Sequence, residues 1–87
     1  MHYFIYILRC SDDTLYTGIT TDIDRRIKEH NTSLKGAKYT RYRRPVKLVY
    51  KEKQEDKSSA LKREHEIKKM PRKGKLLLIE RSNEQKV

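Results

Sequence analysis

Hydrophobic residues fall into three short runs that predict β-strands. The first run covers residues 4–8 and the second surrounds Tyr16, with the turn-forming residues 11–14 between them. Two apolar runs joined by a short polar turn are typical of a β-hairpin. This hairpin would set Tyr6 and Tyr16 side by side, and Gly18 would leave space for another backbone or a ligand to come close.

The third run covers residues 46–50 and is opened by Pro45. Alternation along a strand places Val46, Leu48 and Tyr50 on one face. The polar segment that follows predicts a turn.

Helical periodicity predicts a first helix directly after the hairpin. Thr21 or Asp22 can cap it, and its apolar line is Ile23 and Ile27. From the end of this helix to Pro45 the chain is rich in turn-forming residues, so we predict a loop there.

Two further helices are predicted after the third strand. One covers residues 59–70, with Asp56 or Ser58 as its cap, and ends at Pro71 because proline disrupts a helix interior. The other is shorter and covers residues 72–79. The order of elements is therefore β-β-α-β-α-α.

Composition supports a single small domain of the α/β (α+β) class. The chain has 87 residues, of which 34% are hydrophobic, enough for one modest core. We predict one domain at residues 1–82 and a frayed tail at residues 83–87. The single cysteine, Cys10, excludes an internal disulfide and indicates a reducing compartment. Because no apolar run is long enough for a signal peptide or a membrane span, we expect a cytoplasmic protein.

Charge is the strongest bulk property of the chain. Twenty-two Lys and Arg residues against 12 Asp and Glu give a net charge of +10. Such a field concentrates polyanions and predicts nucleic acid as the partner, although a basic surface can also serve solubility alone. A membrane surface is a poorer partner, because no helix combines a broad apolar face with a basic one. Oligomeric state is left open.

Basic residues are concentrated between residues 31 and 51, where no acidic residue occurs. The side chains predicted to contact phosphates are Lys35, Lys38, Arg41, Arg43 and Arg44. Two tyrosines, Tyr39 and Tyr42, are interleaved with them and can either stack on unpaired bases or pack beneath the loop.

Charged residues also occur on two helix faces that should be buried. Arg26 and His30 flank the apolar line of the first helix. Glu64 lies on the apolar stripe of the second predicted helix, between Ala60 and Ile67. A carboxylate in that position needs a cationic partner, which can be a lysine or arginine in an ion pair, or a metal ion.

Four separated motifs together resemble the GIY-YIG nuclease superfamily. They are Phe4-Ile5-Tyr6, Tyr16-Thr17-Gly18, Arg26-x-x-x-His30 and Ala60-Leu61-x-x-Glu64. Their order and spacing are most similar to the small stand-alone bacterial branch, and also to the Slx-type endonuclease subunit. Phe4 replaces the first glycine of the family pattern, Thr17 replaces an aliphatic residue, and the asparagine found after the metal-binding helix has no clear counterpart.

The resemblance implies a small three-stranded antiparallel sheet flanked by helices, and it implies a role for each site residue. Tyr6 would be the general base toward a water, directly or through a relay, and Tyr16 would place that water or the phosphate. Arg26 would stabilise phosphate charge while His30 hydrogen-bonds nearby. Glu64 would hold one divalent cation, Mg²⁺ or Mn²⁺. Because nearby cations favour the phenolate, we expect them to lower the pKa of Tyr6.

The primary hypothesis is therefore a metal-dependent endonuclease that acts on DNA more readily than on RNA. The alternative is a DNA- or RNA-binding module on a nuclease scaffold that has lost catalysis. A third class, a structural or ribosome-associated basic protein, would need neither the tyrosines nor Glu64.

Overall fold

Seven secondary-structure elements make up the computed structural model, which describes residues 2–32 and 37–84. The strands are β1 (Tyr3–Arg9), β2 (Leu15–Thr20) and β3 (Lys47–Gln54), and the helices are α1 (Ile23–Thr32), α2 (Lys38–Arg41), α3 (Lys57–Lys69) and α4 (Arg72–Glu84). Apart from the short α2, this is the predicted order β-β-α-β-α-α, and the predicted α+β class is confirmed.

The three strands form one antiparallel sheet in the order β2-β1-β3. The predicted hairpin is present, and it pairs Tyr6 with Gly18 and Leu8 with Tyr16. Tyr6 and Tyr16 are therefore diagonal neighbours on one face of the sheet, because side chains two residues apart on a strand point the same way.

Alternating residues of the central strand feed two cores. Ile5 and Ile7 pack on one side of the sheet with residues of α3 and α4, namely Ala60, Ile67 and Ile79. On the other side Tyr6, Leu8, Cys10 and Val46 pack with Tyr16, Ile23 and Ile27. Burial of β1 on both faces explains why residues 4–8 form a continuous apolar run rather than an alternating one.

The predictions for the chain around β3 were partly wrong. Residues 38–41 form a helical turn where a loop was predicted, and β3 continues to Gln54. A bulge opposite Ile7 and Leu8 interrupts the alternation of β3. As a result Tyr50 packs against the core on the α3 side while Val46 belongs to the other core, so these two residues do not share a face.

Side-chain caps fix where α1 and α3 begin. Of the alternatives predicted, Asp22 caps α1 by accepting from the backbone N–H of Arg25 (3.1 Å). Asp56 caps α3 by accepting from the backbone N–H of Ser59 (2.7 Å). The last helix, α4, extends beyond the predicted residue 79, and residues 85–87 of the predicted tail lie outside the described residues. Among the helices described, none is long and apolar enough to cross a bilayer.

Candidate active site

Tyr6 is buried in the middle of the sheet because the facing residue has no side chain. It is 1% exposed, and Gly18 is its partner on β2. A Cβ atom at Gly18 would lie 2.5 Å from Cζ of Tyr6 and would overlap its hydroxyl group. The space that the sequence predicted at Gly18 is therefore filled by the phenol of Tyr6, which fixes the direction of its hydroxyl group.

His30 meets this phenol from α1. Its Nε2 lies 2.8 Å from the hydroxyl oxygen of Tyr6, and the imidazole is 0% exposed. Tyr16 completes the group, with ring centroids 6.4 Å from Tyr6 and 5.3 Å from His30. Helix α1 and the hairpin thus bring together the three ring side chains that the sequence predicted as site residues.

The other imidazole nitrogen is held by α2. Nδ1 of His30 lies 2.8 Å from Oγ1 of Thr40, and that hydroxyl donates to the carbonyl of Ala37 (2.9 Å). Since the single hydroxyl proton of Thr40 is used there, Nδ1–H of His30 donates to Thr40. The N–H of Ala37 also points at Nδ1, but at 3.4 Å it is the weaker contact. Nε2 of His30 is left as an acceptor, and Tyr6 donates to it.

Burial controls the protonation of this pair. It lowers the pKa of His30 to about 4, with a further contribution from the charge of Arg26. It raises the pKa of Tyr6 to about 12, although a hydrogen bond from Arg26 opposes the shift. Arg26 does lower the pKa of Tyr6, as expected, but the net pKa is raised because removing a phenolate from water costs more than Arg26 returns. At neutral pH both groups are uncharged.

Arg26 contacts both the phenol of Tyr6 and the carboxylate of Glu29. Its side chain hydrogen-bonds Tyr6 and donates through Nη1 to Oε1 of Glu29 (3.1 Å). The side chains of Arg26 and Glu29 are 25% and 23% exposed, so the pair lies at the mouth of the cluster. One positive charge is thus held beside the phenol and within reach of a ligand.

Glu64 lies on α3, and its charge reaches the phenol of Tyr6. Its side chain is 14% exposed and lies 3.6 Å from the ammonium group of Lys68. Its charge also acts on Tyr6 and contributes to the raised pKa of the phenol. Both alternatives left open by the sequence are compatible with this position, because Lys68 is 51% exposed and can move away from Glu64.

Glu64 belongs to no cluster of three metal-ligating side chains among the described residues. Within residues 2–32 and 37–84 there is no group of three or more His, Cys, Asp or Glu side chains that could enclose a metal ion. Mg²⁺ does not need one, since it keeps several waters and is commonly held by one or two carboxylates together with substrate phosphates. The donor set fits a cation that is bound jointly by Glu64 and a substrate.

The predicted phosphate-binding residues differ in what they contact. Lys38 is exposed on α2, Arg41 is half-buried, and Lys35 lies outside the described residues. Arg43 pairs with Asp12 (3.0 Å) and donates to the carbonyl of Tyr39 (2.8 Å). Arg44 donates to backbone carbonyls of His30 and Glu29, where it caps the C-terminal end of α1. The guanidinium groups of Arg43 and Arg44 therefore stabilise the fold through contacts within the protein.

Of the interleaved tyrosines, one is packed and one is not. Tyr39 stacks on Tyr16 with centroids 5.8 Å apart, and the guanidinium of Arg43 lies 4.0 Å above its ring. Tyr42 is 84% exposed. Tyr39 therefore packs one side of its ring on Tyr16 and remains 40% exposed, on helix α2 rather than beneath a loop.

Sequence reasoning missed two residues that shape the site. Thr40, 0% exposed, was placed in a predicted loop, and nothing in its local pattern indicates a contact with His30 ten residues earlier. Glu29 could have been found, because it stands three residues after Arg26, the spacing at which charged side chains meet on a helix.

A family model for the GIY-YIG catalytic domain matches residues 2–76 of the chain. Curated relatives include a UPF0213 protein of Desulfotalea psychrophila, 58% identical over 92% of this chain and 73% of its own length. A UPF0213 protein of Staphylococcus aureus is 56% identical over 88% of this chain and 93% of its own length. The chain belongs to the GIY-YIG family.

Solved structures agree with this assignment. The solution NMR structure of a UPF0213 protein from Bacillus halodurans is 48% identical and has a TM-score of 0.60, with 92% of this chain and 84% of that chain covered. The NMR structure of a protein from E. faecalis is 41% identical with a TM-score of 0.66, covering 95% of this chain and 88% of that one. The fold is therefore of the nuclease type, which suggests interaction with nucleic acid.

Proposed function

We propose that this protein is a metal-dependent endonuclease that hydrolyses phosphodiester bonds, with DNA as its main substrate. The observation that carries the proposal is the buried contact between Tyr6 and His30, with Arg26 bonded to the same phenol. A buried tyrosine bonded to a neutral histidine and an arginine can move a proton next to a bound anion.

Tyr6 acts as a relay rather than as a free phenolate. The oxygen of an attacking water forms a bond to phosphorus while the water gives a proton to the phenol oxygen of Tyr6. In the same step Tyr6 passes its own proton to Nε2 of His30, which is neutral because its pKa is lowered to about 4. The P–O bond to the leaving oxygen then breaks, that oxygen takes up a proton from solvent, and His30 returns its proton to solvent through Tyr6. Thr40 fixes His30 in the tautomer that can accept the proton.

The charged residues act on the phosphate. Arg26 is held at the mouth of the cluster by Glu29, and its guanidinium stabilises the charge that grows on a phosphate oxygen. Tyr16, whose ring packs on His30, places the phosphate or the water. Glu64 would hold one Mg²⁺ or Mn²⁺, which when bound supplies charge stabilisation at the leaving oxygen.

The second candidate is a binding module that grips DNA or RNA without cutting it. It is favoured by the ion pair between Glu64 and Lys68, which gives Glu64 a structural role without any metal. In that case the net charge of +10 carries the function and the tyrosine cluster is part of the core.

A nicking assay separates the two candidates. Purified protein is incubated with branched, single-stranded and fully paired DNA in Mg²⁺, in Mn²⁺ and in EDTA. An endonuclease cuts at least one substrate with a divalent cation and none in EDTA. Binding without any cut, in either cation, would support the binding module.

A further inference from the structure

Beside the catalytic cluster lies a second concavity, which we call the β2-edge cleft. It has a volume of about 410 Å³ and lies between α1 and the first turns of α3, at the end of β2. Arg26 belongs both to its wall and to the cluster around Tyr6. On α3, Leu61 in the cleft stands three residues, or about one turn, before Glu64. The cleft therefore continues the active-site surface.

Its lining combines an apolar floor with a cationic border. Tyr3, Ile19 and Leu61 contribute apolar surface. Arg25, Arg26 and Lys57 stand around it, and Glu29, the one carboxylate among the described residues that line it, is already paired with Arg26. Leu61 is 46% exposed although it lines a concave surface. A ligand for this cleft needs flat or apolar parts next to at least one negative charge.

A nucleotide has that chemistry. Its base and sugar match the apolar floor, and its phosphates match the three cations. The volume of about 410 Å³ falls in the range of small-molecule sites, roughly 300–1,000 Å³. In a double helix the faces of each base are covered by the neighbouring bases, so a base that lies on this apolar floor has to be outside the helix.

We propose that the β2-edge cleft binds one unpaired nucleotide next to the reacting phosphate, with its base on Tyr3, Ile19 and Leu61 and its phosphate between Arg25 and Lys57. The proposal rests on the proposed function, because it takes Arg26 as the group shared with the reacting phosphate. It assigns the substrate class as nucleic acid with an unpaired nucleotide at the cut site, such as a flap or a single strand.

Binding is measured first, in EDTA so that no cleavage occurs. The probe is a fluorescent single-stranded hexathymidylate, and the variants are Leu61→Asp and Lys57→Glu. Leu61→Asp removes an apolar contact with the base, and Lys57→Glu removes the attraction for the phosphate, so each should raise the Kd by roughly tenfold or more. The matched control is Leu77→Asp on α4, because Leu77 is 48% exposed and lies outside the cleft. Leu77→Asp should stay near the parent.

Two outcomes overturn the cleft assignment. One is an equal loss of binding in Leu61→Asp and Leu77→Asp, or no loss in either. The other is a hexaglutamate peptide that competes as well as unlabelled hexathymidylate, which would mean that the cleft recognises charge alone. Circular dichroism melting of each variant verifies that it is folded.

Cleavage then separates this inference from the proposed function. If the parent cuts flap DNA at least tenfold faster than the matching continuous duplex, and Leu61→Asp loses that preference, the endonuclease proposal and the cleft assignment are both supported. If hexathymidylate binds through the cleft but no DNA is cut with Mg²⁺ or Mn²⁺, the endonuclease proposal fails alone. If the parent cuts and the cleft variants bind and cut like the parent, the cleft assignment fails alone.

Discussion

The phenol oxygen of Tyr6 and Nε2 of His30 lie 2.8 Å apart in a part of the protein where both side chains are buried. Burial lowers the pKa of His30 to about 4 and raises that of Tyr6 to about 12. The imidazole is therefore free to accept a proton that the phenol holds at every ordinary pH. This arrangement stabilises the neutral pair in the resting protein and allows the proton to move when an anion is bound.

Stability should fall as pH decreases from about 6.5 to about 4. The folded-state pKa of His30, about 4, lies below the ordinary value of 6.5, so the unfolded chain binds the proton first. Its contribution to the free energy of unfolding is complete above pH 6.5 and is lost as pH falls toward 4, for a total of about 3 kcal/mol. Urea unfolding at a series of pH values measures this change in the free energy of unfolding.

His30→Gln is the control for this effect. Its amide can still bond Tyr6 and Thr40 but does not titrate. The difference in unfolding free energy between parent and variant should shrink as pH falls through that window. A difference that stays constant from pH 7 to pH 4 would show that His30 titrates normally in the folded protein.

The rate of cleavage should be nearly independent of pH between about 6 and 9. In the relay, the proton acceptor is neutral His30, which is already fully available above its pKa of about 4. If instead a free phenolate of Tyr6 were the base, the rate would rise about tenfold per pH unit toward its pKa of about 12. Single-turnover rates at constant Mg²⁺ concentration distinguish the two profiles.

Most of the fold followed from local patterns. The hairpin and the helix that ends near Pro71 were each readable from a few neighbouring residues, and the cap of α1 was narrowed to Thr21 or Asp22, of which Asp22 is correct. The positions of Arg26 and His30 on the inner side of α1 followed from the helical period. These predictions hold because short-range spacing alone determines them.

Long-range contacts could not be read in the same way. The bulge in β3 depends on how it pairs with β1, and it reversed the predicted side of Tyr50. Arg43 looked like a free phosphate ligand because its partner, Asp12, is 31 residues away. The pKa of Tyr6 was misjudged because the depth of its burial depends on α1 and β2 together.

Lys38 and Arg43 should respond differently to replacement by alanine. Lys38 is exposed, so Lys38→Ala should reduce the slope of log K against log salt by about 0.9 on duplex DNA if it neutralises one phosphate. Arg43→Ala removes an ion pair, a bond to a carbonyl and a cation–π contact, and should instead cost about 1–2 kcal/mol of stability. Salt titrations and thermal melts of both variants test this. A changed slope in Arg43→Ala with unchanged stability would place Arg43 on the DNA.

Glu64→Gln should abolish binding of Mn²⁺ in the presence of DNA and leave the fold intact. The change keeps the size of the side chain but removes the ligand charge, and the contact that is lost, 3.6 Å long to a Lys68 side chain that is 51% exposed, contributes little. Glu66→Gln, at a side chain that is 62% exposed on the same helix, is the control. Isothermal titration calorimetry measures the binding of Mn²⁺ to each protein in the presence of DNA. Equal Mn²⁺ binding by parent and Glu64→Gln would leave Glu64 as a structural residue.

Replacing the phenol oxygen of Tyr6 is the most direct test of the proton relay. Tyr6→Phe keeps the ring under Gly18 but removes the atom that receives the water's proton. It also leaves Nε2 of His30 without its partner, so a loss of about 1–3 kcal/mol of stability is expected. Tyr42→Phe is the matched control, because it removes the same oxygen from a tyrosine that is 84% exposed.

The decisive measurement is the single-turnover rate of nicking by the parent, Tyr6→Phe and Tyr42→Phe, on the best substrate and with Mg²⁺ or Mn²⁺. All three proteins are compared below their melting temperatures, with DNA affinity measured in parallel. Tyr6→Phe should cut at least about 100-fold more slowly than the parent at near-normal DNA affinity, whereas the nicking rate of Tyr42→Phe should match that of the parent. A Tyr6→Phe protein that cuts as fast as the parent would contradict the proton relay.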